Sequence, residues 1–333
     1  MAATITDIAK ALDISPSTVS RALKNPKLIS IKTRDLVLKK AQELGYISKL
    51  RQSAFASENS KIIGIIVADI SNAFNNKLVK SLMDVFSAND YSVILGTSYE
   101  DPLIENKILR QWLDFGLCGL VVMPTDKFIH SYSQTNLNIP VIQIDRCFDT
   151  ENLDSVTEDN VYGASLAVEY LLSLNHKRIA FISGDNSVFT FSQRCKGALQ
   201  SGKDNVEIIS LTSKAYEDLY IGAFEKTNFL MMRDRARRPT AIIGANNAIT
   251  SGIVYALNLK GIKIPDEVSV ISYGDSRWCR FFNPPITAVV QPVEQIGTIA
   301  ANNLIKRITL EDSKVEQVCL QSMLLTRAST SAI

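Results

Sequence analysis

The stretch TITDIAKALDISPSTVSRALKNPKLISIKTRDLVLKKAQELGY, residues 4–46, decides the fold of the amino-terminal region. Thr4 followed three residues later by Asp7 predicts a helix start of the capping-box type, in which each residue's side chain bonds the other's backbone. Apolar residues then recur at intervals of three and four, the spacing of one helix face. These residues are Ile5, Ile8, Ala9 and Leu12. The pattern predicts a first helix with one buried face.

A second helix is predicted after a break at Asp13 and Ile14. Ser15 provides its cap, and Pro16 fits the first helical position because an amide hydrogen has no partner there. The residues expected to face inward are Val19, Ala22 and Leu23. The opposite face carries side chains that donate hydrogen bonds, namely Ser17, Ser20, Arg21 and Lys24.

A third helix is predicted after Ser30, which caps it, and Gly45 suits its end. Its inward residues are Val37, Ala41 and Leu44. Two short helices joined by a tight turn are typical of the helix-turn-helix, whose second helix enters the DNA major groove. Periodicity alone leaves open a generic three-helix bundle with a solvated basic face.

The charge of the chain is concentrated in this region. Residues 1–57 contain ten Lys and Arg against four Asp and Glu, a net charge of +6, whereas the remainder has 26 against 30, or −4. A small basic region on a mildly acidic body predicts a polyanion as the partner of the basic region.

Composition excludes several protein classes. The 333 residues are 46% hydrophobic, which fits two or three globular domains rather than a disordered chain. No apolar run approaches the roughly 20 residues that span a bilayer, and the start of the chain lacks the apolar segment of a signal peptide. Two histidines and five scattered cysteines offer no spacing for a metal site. We therefore expect a cytoplasmic protein without a cofactor.

The rest of the chain predicts an α/β body, because short apolar runs alternate with helical stretches. The predicted strands are 62–67, 91–95, 118–123, 140–144, 179–182, 240–243, 268–272 and 286–290. In such doubly wound sheets, ligands bind beyond the carboxyl ends of the strands. The phosphate-binding and nucleophile motifs GxGxxG, GxxxxGK[ST] and GxSxG are absent where a strand meets a helix, so we do not expect an enzyme.

These patterns resemble a known family. Residues 4–46, with Thr-Val-Ser-Arg and Leu-Gly-Tyr, resemble the DNA-binding headpiece of the lactose-repressor family of bacterial transcriptional regulators. The body resembles that family's effector domain, itself similar to periplasmic sugar-binding proteins, on strings such as IPVIQIDR (139–146) and RPTAIIGANNA (238–248). The resemblance implies a headpiece at 1–46, a hinge helix at 47–60, and two α/β lobes at 61–333 joined by three crossing segments.

The helix pattern and the resemblance together assign DNA contacts to Thr4, Ser15, Pro16, Ser17, Thr18, Ser20, Arg21, Lys24, Asn25 and Phe55. Phe55 aligns with the apolar wedge that the family inserts into the minor groove. A plain linker with an exposed Phe is the alternative. Two residues depart from the family: Asp13 replaces the turn glycine, and Ser48 begins the pair that replaces Pro-Asn before the hinge. Asp tolerates the left-handed conformation better than most residues.

The resemblance also implies ligand-binding positions at Phe74, Arg146, Thr190, Arg194, Asn246 and Asp275. An aromatic face packs against the apolar side of a sugar ring, while Arg and Asn bond hydroxyls or an anionic group. Two alternatives stay open: Arg146 pairs with Asp145 or Asp159, and Asn246 only caps its helix.

The ligand site departs from the family at several positions. Gly274 stands where the family has an acid, which leaves Asp275 as a substitute, and Asn247 replaces a second acid. Asn75 replaces a second aromatic residue. With two carboxylates gone, a sugar phosphate suits the arginines better than a neutral sugar does, and both remain possible effectors.

The prediction is a dimeric, sequence-specific transcriptional regulator, more specifically a repressor, that binds a pseudo-palindromic operator and is tuned allosterically by a sugar or sugar phosphate. No leucine heptad follows residue 320, which favours a dimer over a tetramer. One alternative keeps the DNA-binding headpiece but makes the body a dimerisation or protein-docking module. Another is an enzyme built on the doubly wound body.

Overall fold

The computed structural model describes residues 4–24, 29–44, 61–113, 116–125, 139–148, 152–310 and 314–333. Its internal contacts divide the chain into two compact units, residues 1–62 with 109–118 and residues 63–108 with 119–333. The predicted hinge at 47–60 lies outside the described residues, and the predicted division at 46 and 60 stays a prediction.

Three helices form the headpiece: α1 (Ile5–Leu12), α2 (Pro16–Lys24) and α3 (Ile31–Glu43). The predicted capping box is present at α1. The Asp7 amide donates to the Thr4 hydroxyl at 3.3 Å, and the Thr4 amide donates to the Asp7 carboxylate at 2.8 Å. Two backbone N–H groups at the start of the helix, which have no partner within it, are thus bonded by side chains three residues apart. The helix start predicted from the sequence is confirmed.

The turn between α1 and α2 is made by Asp13, whose φ of 52° and ψ of 43° are left-handed. The Ile14 amide donates to the Ala9 carbonyl at 3.1 Å, which closes the end of α1. Ser15 then caps α2 by accepting the Thr18 amide at 3.1 Å. The expectation that Asp replaces a turn glycine in the left-handed region is confirmed.

A small apolar core holds the three helices together. Its buried residues are Ile8, Ala9, Val19, Ala22, Val37 and Ala41. Leu23 lies partly buried against them. The inward placement of Leu44 is wrong, since this side chain is 39% exposed. The helix ends at Glu43, so the helical spacing no longer sets the direction of the next residue. Gly45 lies outside the described residues.

The body contains two six-stranded sheets. The first has the order β11-β5-β4-β3-β1-β2, and the second has the order β12-β10-β9-β8-β6-β7. The strands of the first sheet are β1 (Ile62–Val67), β2 (Ser92–Thr97), β3 (Gly119–Val122), β4 (Val141–Asp145), β5 (Asp154–Glu158) and β11 (Gln317–Leu320). Those of the second are β6 (Ile179–Ser183), β7 (Val206–Ser210), β8 (Ala241–Gly244), β9 (Ser269–Tyr273), β10 (Thr287–Val290) and β12 (Met323–Leu325).

Helices connect the strands, as the alternation of patterns predicts. They are α4 (Ala73–Ala88), α5 (Pro102–Leu113), α6 (Asn160–Ser173), α7 (Phe189–Gly202), α8 (Tyr216–Met231), α9 (Asn247–Leu259), α10 (Arg277–Phe281) and α11 (Val293–Thr309). The pairings β1–β3, β3–β4, β6–β8 and β8–β9 are parallel, whereas β10 and β12 pair antiparallel. None of the described helices has the length and apolar character needed to cross a membrane.

The chain passes between the two sheets at three places. It leaves the first sheet after β5, returns between β10 and α11, and crosses again between β11 and β12. The three crossing segments implied by the resemblance are therefore confirmed, together with the two α/β lobes. In each lobe the central strands are buried, which explains their continuous apolar sequences.

Every strand predicted from the sequence is present, but β5, β7, β11 and β12 were not predicted. The sequence of β5 is polar, and it is buried because the Asp154 carboxylate forms an ion pair with Arg307 at 2.6 Å. The other three lie at sheet edges, where half-exposed positions interrupt the apolar run. Their placement depends on long-range pairing that periodicity does not record.

Candidate functional site

The headpiece exposes a polar surface at the amino-terminal end of α2. Ser17 and Arg21 are exposed, and Ser20 is half-buried beside them. The Ser15 hydroxyl lies 2.8 Å from that of Ser17 and 2.7 Å from that of Thr18. Hydroxyl groups at a helix amino terminus, where backbone amides point outward, are suited to phosphate oxygens.

Four of the ten predicted DNA-contacting residues, Ser15 to Thr18, thus lie at the start of α2, and Ser20 and Arg21 follow within the same helix. Thr4 and Pro16 are also exposed. Lys24 ends α2, and its side chain lies outside the described atoms. Asn25 and Phe55 lie outside the described residues. Among the predicted residues whose side chains are described, Arg21 is the long cationic one on the exposed face of α2. The buried Val19 and Ala22 on the other face fix the orientation of the helix.

A cavity of about 120 Å³ lies in the body, at the carboxyl ends of strands from both sheets. Its walls include residues at the ends of β1, β4, β8 and β9 or within two positions after them, the edge at which doubly wound sheets bind ligands. Five of the six predicted ligand-binding residues line it: Phe74, Arg146, Thr190, Arg194 and Asn246. All five are buried.

Asp275 is not brought into this cavity. It lines a smaller neighbouring hollow. Its carboxylate lies 2.9 Å from the Arg280 guanidinium and 2.8 Å from that of Arg327. Burial raises the pKa of Asp275, but the two arginines outweigh burial and hold the pKa below its usual value. The geometry gives Asp275 a structural pairing in place of the predicted contact with a ligand.

The Arg146 guanidinium is held by a carboxylate that the sequence did not identify. Its two terminal nitrogens donate to Glu100 at 2.6 and 2.8 Å, in a two-pronged pair. The Arg146 Nε lies 3.5 Å from Asp145, one of the two partners considered. The other, Asp159, caps α6 instead. Burial raises the pKa of Glu100, and the charge of Arg146 outweighs it and lowers that pKa.

Three residues that line the cavity have strained backbones. Tyr99, Glu100 and Asp145 have φ angles of 52°, 58° and 66°, in the left-handed region that favours glycine. Each such residue costs about 1–3 kcal/mol, and such residues concentrate at functional sites. None of the three is Gly or Asn, the residues that signal this conformation in a sequence, so the sequence pattern could not predict these left-handed positions.

Arg194 is fixed by the lobe around it. Its Nε donates to the Asn160 side chain at 2.7 Å, and one Nη donates to the Ala245 carbonyl at 2.8 Å. The centre of the guanidinium lies 3.9 Å above the ring of Tyr273. These contacts hold the guanidinium plane in one orientation and leave donors toward the cavity.

Behind Arg194, the buried carboxylate of Glu158 joins the crossing segments. It accepts hydrogen bonds from the Tyr273 hydroxyl at 2.6 Å, from the Gln291 amide at 2.6 Å, and from the Ser322 hydroxyl. Arg194 lies 3.8 Å away. Burial, followed by the charge of Glu158, raises the pKa of Tyr273 well above its ordinary value. Nothing in the sequence marked Glu158, because its partners come from four separate segments.

The two neighbouring asparagines of α9 differ in their bonding. Asn246 caps the helix by accepting the Ile249 amide at 2.8 Å, so the capping alternative is confirmed for its oxygen. The buried Asn247 oxygen has no partner among the described residues. A Cβ at Gly274, where φ is 97°, would lie 3.0 Å from the Asn247 amide. Glycine at 274 and asparagine at 247 therefore fit one another sterically.

Among the described residues, no three His, Cys, Asp or Glu side chains converge as a metal site. The five cysteines are free thiols. The walls of the cavity instead provide carboxylates, two arginines, five side-chain amides and aromatic rings, a set suited to a ligand with several hydroxyl groups.

Comparison with known proteins extends over nearly the whole chain. A family model described as "Bacterial regulatory proteins, lacI family" matches residues 4–49, and one described as "Periplasmic binding protein-like domain" matches residues 168–330. The HTH-type transcriptional regulator DegA of Bacillus subtilis is 29% identical over 344 residues, which cover 100% of this chain and 99% of DegA.

Two further relatives are similar over most of the chain. The HTH-type transcriptional repressor PurR of Histophilus somni is 27% identical over 341 residues, which cover 99% of this chain and 100% of PurR. A solved LacI family transcriptional regulator from Enterococcus faecalis, with bound ribose, is 26% identical and has a TM-score of 0.73. That likeness covers 82% of this chain and 100% of the solved one.

Proposed function

The chain belongs to the lacI family of bacterial regulatory proteins, and from this premise we propose that it is a repressor whose cleft binds a neutral sugar. It is a sequence-specific DNA-binding transcriptional regulator and not an enzyme. The observation that favours a neutral sugar over a sugar phosphate is the pairing of the Arg146 guanidinium with Glu100 inside the cavity.

The DNA-binding part of the proposal depends on α2. Its polar face carries Ser17 and Arg21, which reach base edges once the helix lies in the major groove. An Arg that bonds a guanine through both nitrogens contributes discrimination, whereas the other basic residues of the headpiece contribute salt-dependent phosphate contacts. Two headpieces in a dimer would read the two halves of a pseudo-palindromic operator.

Charge favours a neutral ligand over a sugar phosphate. Glu100 and Asp145 lie beside Arg146, so its positive charge is already neutralised within the protein. Asp69 also lines the cavity, so that its three carboxylates balance Arg146, Arg194 and Lys214 and leave no excess of positive charge for a phosphate group. Sugar hydroxyls, in contrast, can donate to these carboxylates and accept from arginine, so that both kinds of group stay bonded.

The size and shape of the cavity also fit a sugar. The cavity of about 120 Å³ has room for a small ligand of several water-sized groups. Phe74 and Tyr216 supply aromatic surface for the apolar face of a ring. The Enterococcus faecalis relative with bound ribose supports a sugar of this size.

Coupling of the cleft to the headpiece would follow from the two-lobed fold. A sugar that bonds residues of both lobes favours one relative arrangement of the lobes, and it shifts the equilibrium only by its difference in affinity for the two arrangements. Such coupling free energies are typically 1–3 kcal/mol, or about 5- to 150-fold in operator affinity.

Apolar surface on the second lobe supports the dimer. The helices α8 and α9 pack together, and each leaves large apolar side chains exposed next to or on its outer face. These residues are Ile221, Phe229, Met232, Tyr255 and Leu259. Large apolar side chains that stay exposed on two helices packed together favour a subunit interface there.

The test is operator binding by the full chain in the presence of sugars. We expect the protein to bind a fragment of its own upstream DNA more tightly than random duplex, and D-ribose or another neutral monosaccharide to change that affinity by about 5- to 150-fold. Arg194→Ala should abolish the sugar response and keep operator binding. If neither neutral sugars nor sugar phosphates change operator affinity, the body is a dimerisation or docking module instead.

A further inference from the structure

A second hollow opens directly beside the sugar cavity. Its volume is about 260 Å³, against about 120 Å³ for the first. The two share four wall residues, namely Glu100, Arg146, Val188 and Lys214. Phe189 lines the second hollow and Thr190 lines the first, so the start of α7 separates them. A ligand in the first cavity can therefore extend past the Glu100–Arg146 pair into the second.

One wall of the second hollow is aromatic. Phe148 and Phe189 lie with ring centroids 5.4 Å apart and planes at 74°, an edge-to-face pair. Both side chains are half-buried, so each keeps part of its surface toward the hollow. A pair held in this geometry offers a rigid apolar surface to the C–H groups on one face of a sugar ring.

The wall of the hollow also carries a hydroxyl that has no partner among the described residues. Thr125 is only 3% exposed, and its Oγ1 finds no hydrogen-bond partner in the part of the chain that the structure describes. Its amide, in contrast, donates to the buried carboxylate of Glu105 at 2.8 Å, which fixes the backbone. Buried hydroxyl groups are nearly always bonded, so an unpaired one at the wall of a hollow indicates a group that a ligand satisfies.

The charges at the wall select against an anionic extension. The Arg146 terminal nitrogens are both bonded to Glu100, so the guanidinium offers little attraction to a phosphate. Lys214 is exposed to solvent, where its attraction is screened. Glu100 itself faces the passage between the two hollows and would repel a phosphate, but it can accept hydrogen bonds from hydroxyls.

We propose that the effector has two linked rings, so that a disaccharide or similar glycoside places one sugar in the first cavity and the second in the neighbouring hollow, against residues Phe148, Phe189 and Thr125 of its wall. The inference rests on the proposed function, since it extends the ligand of the same cleft. It assigns specificity to residues outside the positions implied by the family resemblance.

The experiment is isothermal titration calorimetry on the full chain. The probes are D-ribose, D-glucose, D-galactose and D-fructose, then maltose, cellobiose, lactose and sucrose, then ribose 5-phosphate and glucose 6-phosphate. We expect at least one disaccharide to bind about tenfold or more tightly than either of its own monosaccharides, because the second ring adds aromatic contact and a hydrogen bond.

Two variants assign this gain to the second hollow. Thr125→Val keeps the side-chain shape and removes the hydroxyl, and Phe189→Ala removes half of the aromatic pair. Each should weaken the disaccharide about fivefold or more and change monosaccharide binding less than about twofold. Phe281→Ala and Thr309→Val, at exposed positions on α10 and α11, are the matched controls and should change neither. Circular dichroism checks that each variant is folded. If Phe189→Ala does not fold, the result for Thr125→Val alone tests the inference.

Three results would overturn the inference, and they are distinguishable. If monosaccharides bind as tightly as every disaccharide, the second hollow plays no part, and the proposed function stands. If a sugar phosphate binds more tightly than all neutral probes, the argument from charge is wrong. If no probe binds at all, the proposed function fails together with the inference.

Discussion

The headpiece and the cleft are stabilised by contacts of very different reach along the chain. In the headpiece, Thr4 bonds Asp7 and Ser15 bonds Thr18, each pair three residues apart. In the cleft, Arg146 bonds a residue 46 positions away, and Glu158 bonds Tyr273 and Ser322 at separations of 115 and 164. The DNA-binding surface is thus built from local rules, and the ligand site from the topology of the whole body.

This difference predicts how each region responds to a change. A local helix start is satisfied within one turn, so a substitution there affects one helix. A buried carboxylate shared by several segments has no substitute partner nearby, so its loss affects all of them at once. The four predictions below test this contrast, beginning with the largest expected effect.

Replacing Glu158 by Ala should lower the free energy of unfolding by about 3–5 kcal/mol, because it leaves Arg194 without its buried countercharge and Tyr273, Gln291 and Ser322 without their acceptor. The measurement is urea unfolding of the full chain, followed by tryptophan fluorescence.

The control for Glu158 is Glu294→Ala. The Glu294 side chain is 73% exposed and lies 3.2 Å from Lys77, so its loss should cost no more than about 1 kcal/mol. If Glu158→Ala costs as little as Glu294→Ala, the crossing segments do not depend on the shared carboxylate.

Replacing Arg21 by Ala should reduce discrimination between operator and random duplex by about 1–3 kcal/mol, because Arg21 is the side chain positioned to bond a guanine. Fluorescence anisotropy with both duplexes at two salt concentrations measures this. Arg34→Ala, at an exposed position on α3, is the control, and it should weaken binding to both duplexes alike. Equal losses on both duplexes for Arg21→Ala would remove it from the base-reading surface.

The same difference between local and long-range contacts explains how much of each region could be predicted from the sequence. The caps at Thr4 and Ser15 and the left-handed turn at Asp13 were all expected, since each depends on residues within one or two turns of helix. In the body, buried parallel strands were found because continuous apolar runs reflect burial on both faces. The polar strand β5 was missed because an ion pair with Arg307 compensates its burial.

The ligand site could be predicted only in part. Five of the six residues expected from the resemblance line the cavity, but the resemblance does not indicate which carboxylates neutralise the charges of the two arginines. Glu100 lies on a turn that no sequence pattern predicts. Glu158 finds its hydrogen-bond partners only where the three crossing segments meet in the folded chain. Asp275 was expected at the ligand because of its position in the chain, and two arginines hold it elsewhere.

Replacing Glu100 by Gln should flatten the dependence of stability on acid pH. The folded pKa of Glu100 lies below its ordinary value of 4.5, because the Arg146 charge outweighs the effect of burial. A lowered pKa contributes stability that is present above pH 4.5 and is lost as the pH falls through the folded value. One carboxylate contributes at most about 1.4 kcal/mol per pH unit in that window.

The measurement for Glu100 is the melting temperature of wild type and variant between pH 7 and pH 3. The wild-type curve should fall more steeply than that of Glu100→Gln below pH 4.5, and the two should run parallel above it. Curves that are parallel throughout would mean that the pairing with Arg146 does not shift the titration of Glu100.

Replacing Asp13 by Gly should stabilise the headpiece by about 0.5–1 kcal/mol, the smallest effect of the four. Asp13 has a φ of 52° at the carboxyl end of α1, so glycine relieves the left-handed strain and removes a negative charge from the negative end of the helix dipole. Asp13→Asn removes only the charge and should gain less, whereas Asp13→Val adds a branched side chain that the left-handed region disfavours. Native-state hydrogen exchange of the α1 and α2 amides in the full chain should rank the protection as Gly, Asn, wild type and Val. Equal protection for Val and wild type would show that the turn relaxes to another conformation, and that even this most local feature of the headpiece depends on more than its own residues.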